Sequence, residues 1–251
     1  MANIGIDIGS QNTKVAILED RKILALAKVP TGFDQQVSVK KAIKLGLDKA
    51  GIGMPDSAQI RVTGIGRKAV PDISTNEINE TMSAAKGAFF YFPSARVVID
   101  AGAENVTVMK VNEQMRVLDF ATNDKCAAGA GSFVESMTKA LGTTIDDFAK
   151  SALQRTEKIN INAQCVIFAE SEVVSLVHSG ASRADISGAI HEAIADRISA
   201  LVRRVGLEKD VVVMGGMANN VGFIDALEKA LDVNVLVATD PEYACAIGAA
   251  L

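Results

Sequence analysis

The sequence IDIGSQN at residues 6–12 returns at residues 99–105 as IDAGAEN, and this pair of stretches decides the fold. Aspartate, glycine and asparagine recur at matching positions that lie 93 residues apart. Each copy ends an apolar β pattern and continues into a second β-favouring segment, a charged turn and a third apolar strand. A repeat in the same hairpin context indicates a duplicated structural unit.

The segments after each hairpin alternate between helical and strand patterns. Apolar spacing predicts helices over residues 37–50, 132–141, 168–178, 183–205, 219–231 and 243–251, and strands over 59–63, 211–214 and 233–237. Ser182 is the expected cap of the longest helix and Gly206 its stop. Strands followed by helices indicate an α/β fold with mixed sheets.

The sequence contains no linker rich in Pro, Gly and Ser, so the predicted lobe boundary is a tight crossover near residues 92–94. We expect an N-terminal lobe over residues 1–93, which the C-terminal helix 243–251 completes. The C-terminal lobe then spans residues 94–242 and carries two of the three cysteines.

Composition excludes several classes of function. The net charge is −4, aromatic residues make up 4% of the chain and there is no Trp, which disfavours binding to nucleic acid or anionic lipid. No apolar run reaches the roughly 18 residues of a membrane span. Three widely separated cysteines argue against a secreted disulfide framework. We expect a soluble cytoplasmic protein with reduced thiols and with no nucleic-acid or membrane partner.

The turns that begin at Asp7 and Asp100 have the chemistry of a phosphate site. Backbone N–H groups in a glycine-containing turn can approach phosphate oxygens, while the carboxylate can hold Mg²⁺ or its waters. One such turn alone is more commonly a plain β-turn, but two copies at equivalent positions favour a triphosphate clamped between lobes. No Walker A motif is present, and residues 64–66 (GIG) are interpreted as a simple turn because Pro71 argues against a long helix after them.

Two cysteines form a second candidate site. Cys126 and Cys165 each precede a predicted helix, whose N-terminus lowers the pKa of a thiol and stabilises an anionic group. Buried packing is the commoner role of an isolated cysteine. A 4Fe–4S cluster or a structural zinc needs about four ligands, which two copies of the chain across a twofold axis would supply. Spacing does not choose between iron and zinc, and Cys245 is predicted to be a small packing residue in the closing helix.

Seven motifs together resemble a known family: IGIDIGSQNTK, VTGIGR, VIDAGAEN, NDKCAAGAGSF, CVIFAESEVVSL, VMGGMANN and AIGAAL. In this order, from end to end, the chain is similar to the ATP-dependent activators of 2-hydroxyacyl-CoA dehydratases and the related ATPase subunits of benzoyl-CoA reductase. The resemblance implies the duplicated, two-lobed ribonuclease-H-like fold of actin, hexokinase and the heat-shock chaperones. It also implies ATP or ADP, Mg²⁺ and one 4Fe–4S cluster per homodimer, with Cys126 and Cys165 of both copies as its ligands.

The same resemblance implies the residues of the nucleotide site. The candidate catalytic residues are Asp7, Asp100 and Glu104. The candidate nucleotide-binding residues are Gly9, Ser10, Gln11, Asn12, Thr13, Lys14, Gly102, Ala103, Asn105, Gly215, Gly216 and Met217. Activators typically carry Asp-x-Gly-Gly-Gln-Asp in the second phosphate loop, whereas residues 100–105 read DAGAEN. This departure looks more like the benzoyl-CoA reductase subunits, and the Glu104 carboxylate would repel a γ-phosphate unless Mg²⁺ or water intervenes.

The function that the resemblance implies is electron transfer driven by ATP. Ferredoxin or flavodoxin would reduce the cluster, and binding and hydrolysis of Mg-ATP would close the lobes so that an electron reaches an acyl-CoA dehydratase or reductase component. Two alternatives stay open. A sugar-type kinase would need an inserted substrate region and leaves the cysteine motifs unexplained, and a non-catalytic ATP-binding regulator would suit Glu104 and Asn105.

Overall fold

Two mixed β-sheets of five strands each form the framework of the protein. The computed structural model describes residues 2–54, 58–73, 76–123, 131–161 and 166–251. The first sheet contains β1 (Ala2–Ile8), β2 (Asn12–Glu19), β3 (Lys22–Pro30), β4 (Gln59–Thr63) and β5 (Asn76–Glu77) in the order β3-β2-β1-β4-β5. The second contains β6 (Val97–Ala101), β7 (Val106–Val111), β8 (Val117–Thr122), β9 (Val211–Met214) and β10 (Leu236–Val237) in the order β10-β9-β6-β7-β8.

The two sheets have one topology, which confirms the predicted duplication. In each, three antiparallel strands form a meander and the first of them also pairs in parallel with a later strand, β1 with β4 and β6 with β9. Asp7 lies opposite Lys14 in the first ladder, and Asp100 lies opposite Thr107 in the second. These pairs are the same two positions of the repeat, so the repeated motif occupies the same place in both sheets.

Eight helices pack on the sheets within the described part of the chain. They are α1 (Gln35–Ala50), α2 (Glu80–Tyr91), α3 (Gly131–Ala140), α4 (Ile145–Ala152), α5 (Val166–His178), α6 (Arg183–Val205), α7 (Val221–Leu231) and α8 (Ala244–Ala250). The predicted limits of α6 are confirmed, since the Ser182 hydroxyl accepts the Asp185 N–H at 3.1 Å and Gly206 ends the helix. None of these helices is both long and apolar enough to cross a lipid bilayer.

Two predicted elements near the C-terminus have other bounds. The helix expected from residue 219 begins only at Val221, because the Asn220 side chain caps it by accepting the Phe223 N–H at 2.9 Å. The strand expected over 233–237 is reduced to Leu236–Val237. The Val235 N–H donates to the Glu228 carboxylate at 2.9 Å, so it is not available to a sheet ladder.

Helices α2 and α8 each pack on the sheet formed mainly by the other half of the chain. Helix α2 follows the first sheet in sequence, yet its Ala88 and Phe89 belong to a buried cluster with Val98 and Val212 of the second sheet. Helix α8 follows the second sheet, yet its Ile247 packs with residues of β2. Helices α2 and α8, which we call the crossing helices, therefore lie between the two sheets.

Candidate functional site

A cavity of about 360 Å³ lies between the two sheets. Its floor is formed where four strands end, by Asp7 of β1, Gly64 after β4, Asp100 of β6 and Gly215 after β9. Because the carboxyl ends of parallel strands meet at one edge of a sheet, each sheet contributes one aspartate and one glycine to this cleft. The size of the cavity is in the usual range of small-molecule sites, roughly 300–1,000 Å³.

The repeated turns are closed by the same backbone hydrogen bond. The Gly9 N–H donates to the Asn12 carbonyl at 3.1 Å, and the Gly102 N–H donates to the Asn105 carbonyl at 2.9 Å. In the first turn, the Thr31 hydroxyl also donates to the Gly9 carbonyl at 2.8 Å. We name residues 9–12 the first loop and residues 102–105 the second loop, and both loops line the cleft.

Gly64 and Gly215 complete the pseudo-symmetry of the cleft floor. Both have positive φ angles, +89° and +87°. A Cβ atom at Gly64 would lie 2.6 Å from Asp7 Oδ1, and one at Gly215 would lie 2.8 Å from Asp100 Oδ1. Only glycine fits both the backbone conformation and the close approach to the carboxylate. The interpretation of residues 64–66 as a simple turn missed this role, although a glycine directly after a strand in both halves was the available signal.

The charges in the cleft are arranged around the two aspartates. Lys14 Nζ lies 3.1 Å from Asp7 Oδ2. Burial acts to lower the pKa of Lys14, but the charge and the hydrogen bond of Asp7 outweigh it and raise this pKa above its ordinary value. Burial, assisted by the negative charge of Asp7, raises the pKa of Asp100 to about 6. Of the two carboxylates on the floor of the cleft, Asp7 therefore forms an ion pair with a lysine, whereas Asp100 has no ion-pair partner among the described residues.

Cys245 extends this cluster from the closing helix. Its Sγ lies 3.4 Å from Asp100 Oδ2, and burial together with the Asp100 charge raises the pKa of the thiol well above its usual value. A neutral thiol donates a hydrogen bond to the carboxylate. The predicted packing role is therefore incomplete, because the residue is buried among apolar side chains and also lines the cleft.

Other charged groups on the cleft wall were missed from the sequence. Glu80, in the first turn of α2, accepts a hydrogen bond from Arg67 at 2.9 Å, and burial raises the pKa of its carboxyl against the opposing charge of Arg67. Lys28 of β3 donates to both carboxylate oxygens of Glu242, at 3.0 and 2.7 Å. No sequence pattern pointed to these residues, because they enter the cleft from elements that lack a repeated motif.

Most of the candidate residues named from the sequence line this one cleft. They are Asp7, Gly9, Ser10, Gln11, Asn12, Lys14, Asp100, Gly102, Ala103, Glu104, Asn105, Gly215, Gly216 and Met217. Glu104 is an exposed residue on the rim. Thr13 is fully buried, with its hydroxyl 3.0 Å from that of Thr31, and is not among the lining residues. Cys126 and Cys165 lie outside the described residues.

The duplicated sheets, the crossing helices and the aspartate-floored cleft have the two-lobe fold of the actin- and hexokinase-type ATPases, which confirms the predicted fold class. The particular family follows from the sequence as a whole. The chain belongs to the BadF/BadG/BcrA/BcrD ATPase family, which matches residues 4–251.

Two relatives illustrate the range of that family. The activator of lactoyl-CoA dehydratase from Anaerotignum propionicum is 37% identical over 251 residues, which cover 100% of this chain and 96% of that protein. A benzoyl-CoA reductase subunit from Thauera aromatica is 29% identical over 258 residues, with 98% and 91% of the two chains covered. The resemblance inferred from the motifs is confirmed. Identity over the whole chain is higher with the dehydratase activator than with the reductase subunit, although the second loop was predicted to resemble the reductase subunits.

A solved structure agrees with this placement. The activator of the 2-hydroxyisocaproyl-CoA dehydratase from Clostridium difficile with bound ADPNP has a TM-score of 0.94 and 33% identity to this chain. The match covers 100% of this chain and 93% of that one.

Proposed function

We propose that this protein hydrolyses ATP between its lobes and uses the turnover to drive electron transfer from a dimer-bridging 4Fe–4S cluster to an acyl-CoA dehydratase or a benzoyl-CoA-reductase-type partner. The observation that carries the ATP part is the convergence of the two repeated loops, each with its aspartate and glycine, on one cleft. Relatives named as dehydratase activators support the choice of partner.

The cleft offers two facing loops for the phosphates of ATP or ADP. Backbone N–H groups of the first and second loops would approach the phosphate oxygens, and Lys14 would add a positive charge beside them. The adenosine would lie toward Gly216 and Met217, which line the cleft beyond the strand end at Gly215. A solved relative that is 33% identical to this chain has bound ADPNP, which supports an adenine nucleotide as the ligand of this chain.

The carboxylates fit a magnesium ion. Mg²⁺ prefers hard oxygen ligands such as those of Asp7 and Asp100, and a cation near them would offset the burial and the repulsion by Asp7 that together raise the pKa of Asp100. When bound, Mg²⁺ would supply charge neutralisation at the transferred phosphate. Asp100 and Glu80 are then the cleft carboxylates that we propose to orient the attacking water, with Glu104 on the rim.

We infer that helices α3 and α5 link the nucleotide cleft to the proposed redox site. Cys165 directly precedes α5, Cys126 lies five residues before the start of α3, and these two helices pack against each other. Two copies of the chain would supply four thiolates for a shared cluster. Such a cluster, when bound, supplies one-electron chemistry, for which ferredoxin or flavodoxin is the proposed donor.

Anaerobic purification with iron and acid-labile sulfide analysis tests the redox half of the proposal. We expect a dimer with about four iron atoms and four sulfides, and loss of most of the iron in Cys126→Ser and in Cys165→Ser. Cys245→Ser is the matched control and should keep its iron, because this cysteine lies in the nucleotide cleft. Zinc in place of iron, or iron retained in both ligand variants, would contradict the proposal.

Replacement of Lys14 tests the nucleotide half. Lys14→Met keeps most of the unbranched side chain but removes the cation beside Asp7, so we expect ATP affinity to fall by about 10-fold to 100-fold. Lys44→Met removes the same charge from an exposed position on α1 and should change affinity by less than about twofold. Isothermal titration with Mg-ATP measures both, and equal losses in the two variants would show that net charge alone is responsible.

A further inference from the structure

Helix α3 contacts both loops of the cleft. The first two N–H groups of the helix donate to the second loop, from Gly131 to the Gly102 carbonyl at 3.0 Å and from Ser132 to the Ala103 carbonyl at 2.8 Å. Its side chains face the first loop, where Gln11 Nε2 donates to Glu135 Oε2 at 2.9 Å and lies 3.4 Å from Ser132 Oγ. One helix is therefore joined to both phosphate loops, by backbone on one side and by side chains on the other.

The contact of Gln11 with Glu135 crosses between the lobes. Gln11 follows β1 of the first sheet, whereas Glu135 projects from a helix that packs in the core of the second sheet. Both side chains line the cleft, so a ligand between the loops would lie beside the hydrogen bond that they share. Lys28 and Glu242 form a second side-chain contact, an ion pair next to the start of α8. The crossing helices already join the lobes at α8.

A nucleotide phosphate in the cleft would weaken the Gln11–Glu135 hydrogen bond through both of its partners. A phosphate oxygen is a strong acceptor that competes with Glu135 for the Gln11 amide, and its negative charge repels the Glu135 carboxylate. ATP has one more phosphate and more negative charge than ADP, so both effects are larger for ATP. The Gln11–Glu135 hydrogen bond consequently opposes the binding of ATP more than that of ADP.

We propose that Gln11 and Glu135 form a latch across the cleft that ATP opens and ADP leaves closed, so that α3 senses which nucleotide is bound. This inference rests on the proposed nucleotide function. Glu135 is a positioning residue in this scheme: its carboxylate holds the first loop against α3 while the backbone of α3 stays joined to the second loop. Helix α3 starts five residues after Cys126 in the sequence. Opening the latch therefore frees this helix from the first loop.

The test compares ATP and ADP affinities, with Mg²⁺ present, in the full-length protein and in Glu135 variants. Glu135→Ala should raise the ratio of ATP affinity to ADP affinity about threefold to tenfold, because ATP no longer has to break the Gln11–Glu135 hydrogen bond when it binds. Glu135→Gln should have a smaller effect, since its amide oxygen still accepts the Gln11 N–H. Asp146→Ala is the matched control, because it removes another carboxylate from the cleft wall and so reports the effect of net charge alone.

A double-mutant cycle separates the latch from a general charge effect. In a Gln11→Ala background, Glu135→Ala should alter the ATP-to-ADP ratio no more than Asp146→Ala does. An unchanged or reduced ratio in Glu135→Ala, or an increase equal to that of Asp146→Ala, overturns the latch and leaves the proposed function intact. Failure of the unmutated protein to bind either nucleotide overturns the proposed function itself.

Discussion

Replacement of Asp100 by asparagine should nearly abolish ATP hydrolysis and at the same time stabilise the nucleotide-free protein. The Asp100 carboxylate has no ion-pair partner among the described residues, because Lys14 pairs with Asp7 and the donor that contacts Asp100 is the neutral thiol of Cys245. Loss of a charge that we propose to hold Mg²⁺ and to orient water should reduce turnover by at least about 100-fold. The same replacement removes a charge that burial, together with repulsion by Asp7, disfavours, and this is the reason for the gain in stability.

The stability gain should depend on pH in a definite direction. The pKa of Asp100 is raised from 3.8 to about 6 in the folded protein, chiefly by burial. Between about pH 4 and about pH 6 the folded state therefore retains a proton that the unfolded chain has lost, so this group makes the free energy of unfolding fall as pH rises through that window. The full difference corresponds to at most about 3 kcal/mol, and solvent in the cleft reduces it, so we expect Asp100→Asn to gain about 1–2 kcal/mol near pH 8.

Urea unfolding at several pH values measures this gain. Asp100→Asn should be more stable than the unmutated protein near pH 8, and the difference should vanish near pH 4. Asp7→Asn is the matched control with the opposite expected sign, because it takes the ion-pair partner from a Lys14 side chain that is only 17% exposed. A loss of stability in Asp100→Asn near pH 8, or a gain that is the same at both pH values, would contradict the prediction.

The repeat made the framework predictable from sequence. Because the Asp7 and Asp100 motifs end equivalent strands, their position in two similar sheets and their convergence followed from local pattern and topology alone. Thr13 shows the limit of motif transfer, since side chains alternate across a strand and its hydroxyl is buried against Thr31. Glu104 stays on the rim of the cleft, where its role in hydrolysis is a prediction.

The tertiary partners of the cleft were not predictable in the same way. Helix α2 has no periodic apolar stripe that would predict it, because six of its buried positions are Ser83, Ala84, Ala85, Gly87, Ala88 and Phe89. The latch joins residues 124 positions apart, Gln11 and Glu135, and neither lies in a pattern that names the other. Such contacts depend on how the two lobes are oriented, which local propensity does not encode.

Close packing of the crossing helices is expected to make Gly248 intolerant of even the smallest side chain. Alanine in place of glycine inside a helix ordinarily stabilises it by about 1 kcal/mol. In α8, however, a Cβ at Gly248 would lie 1.8 Å from the Ser83 carbonyl oxygen and 2.7 Å from the Gly87 nitrogen, both of them backbone atoms of α2. Neither atom can move aside unless the helices separate.

Gly248→Ala should therefore lower the free energy of unfolding by about 2–4 kcal/mol, because overpacking outweighs the gain in helix propensity. Gly53→Ala provides the control, since nothing lies within 4 Å of a Cβ at that position, and its effect should stay within about 0.5 kcal/mol. Urea unfolding followed by circular dichroism measures both variants. Equal stability of the Gly248→Ala and Gly53→Ala variants would show that α2 and α8 can separate without cost. The contact between these helices could not then hold the two sheets in a fixed orientation.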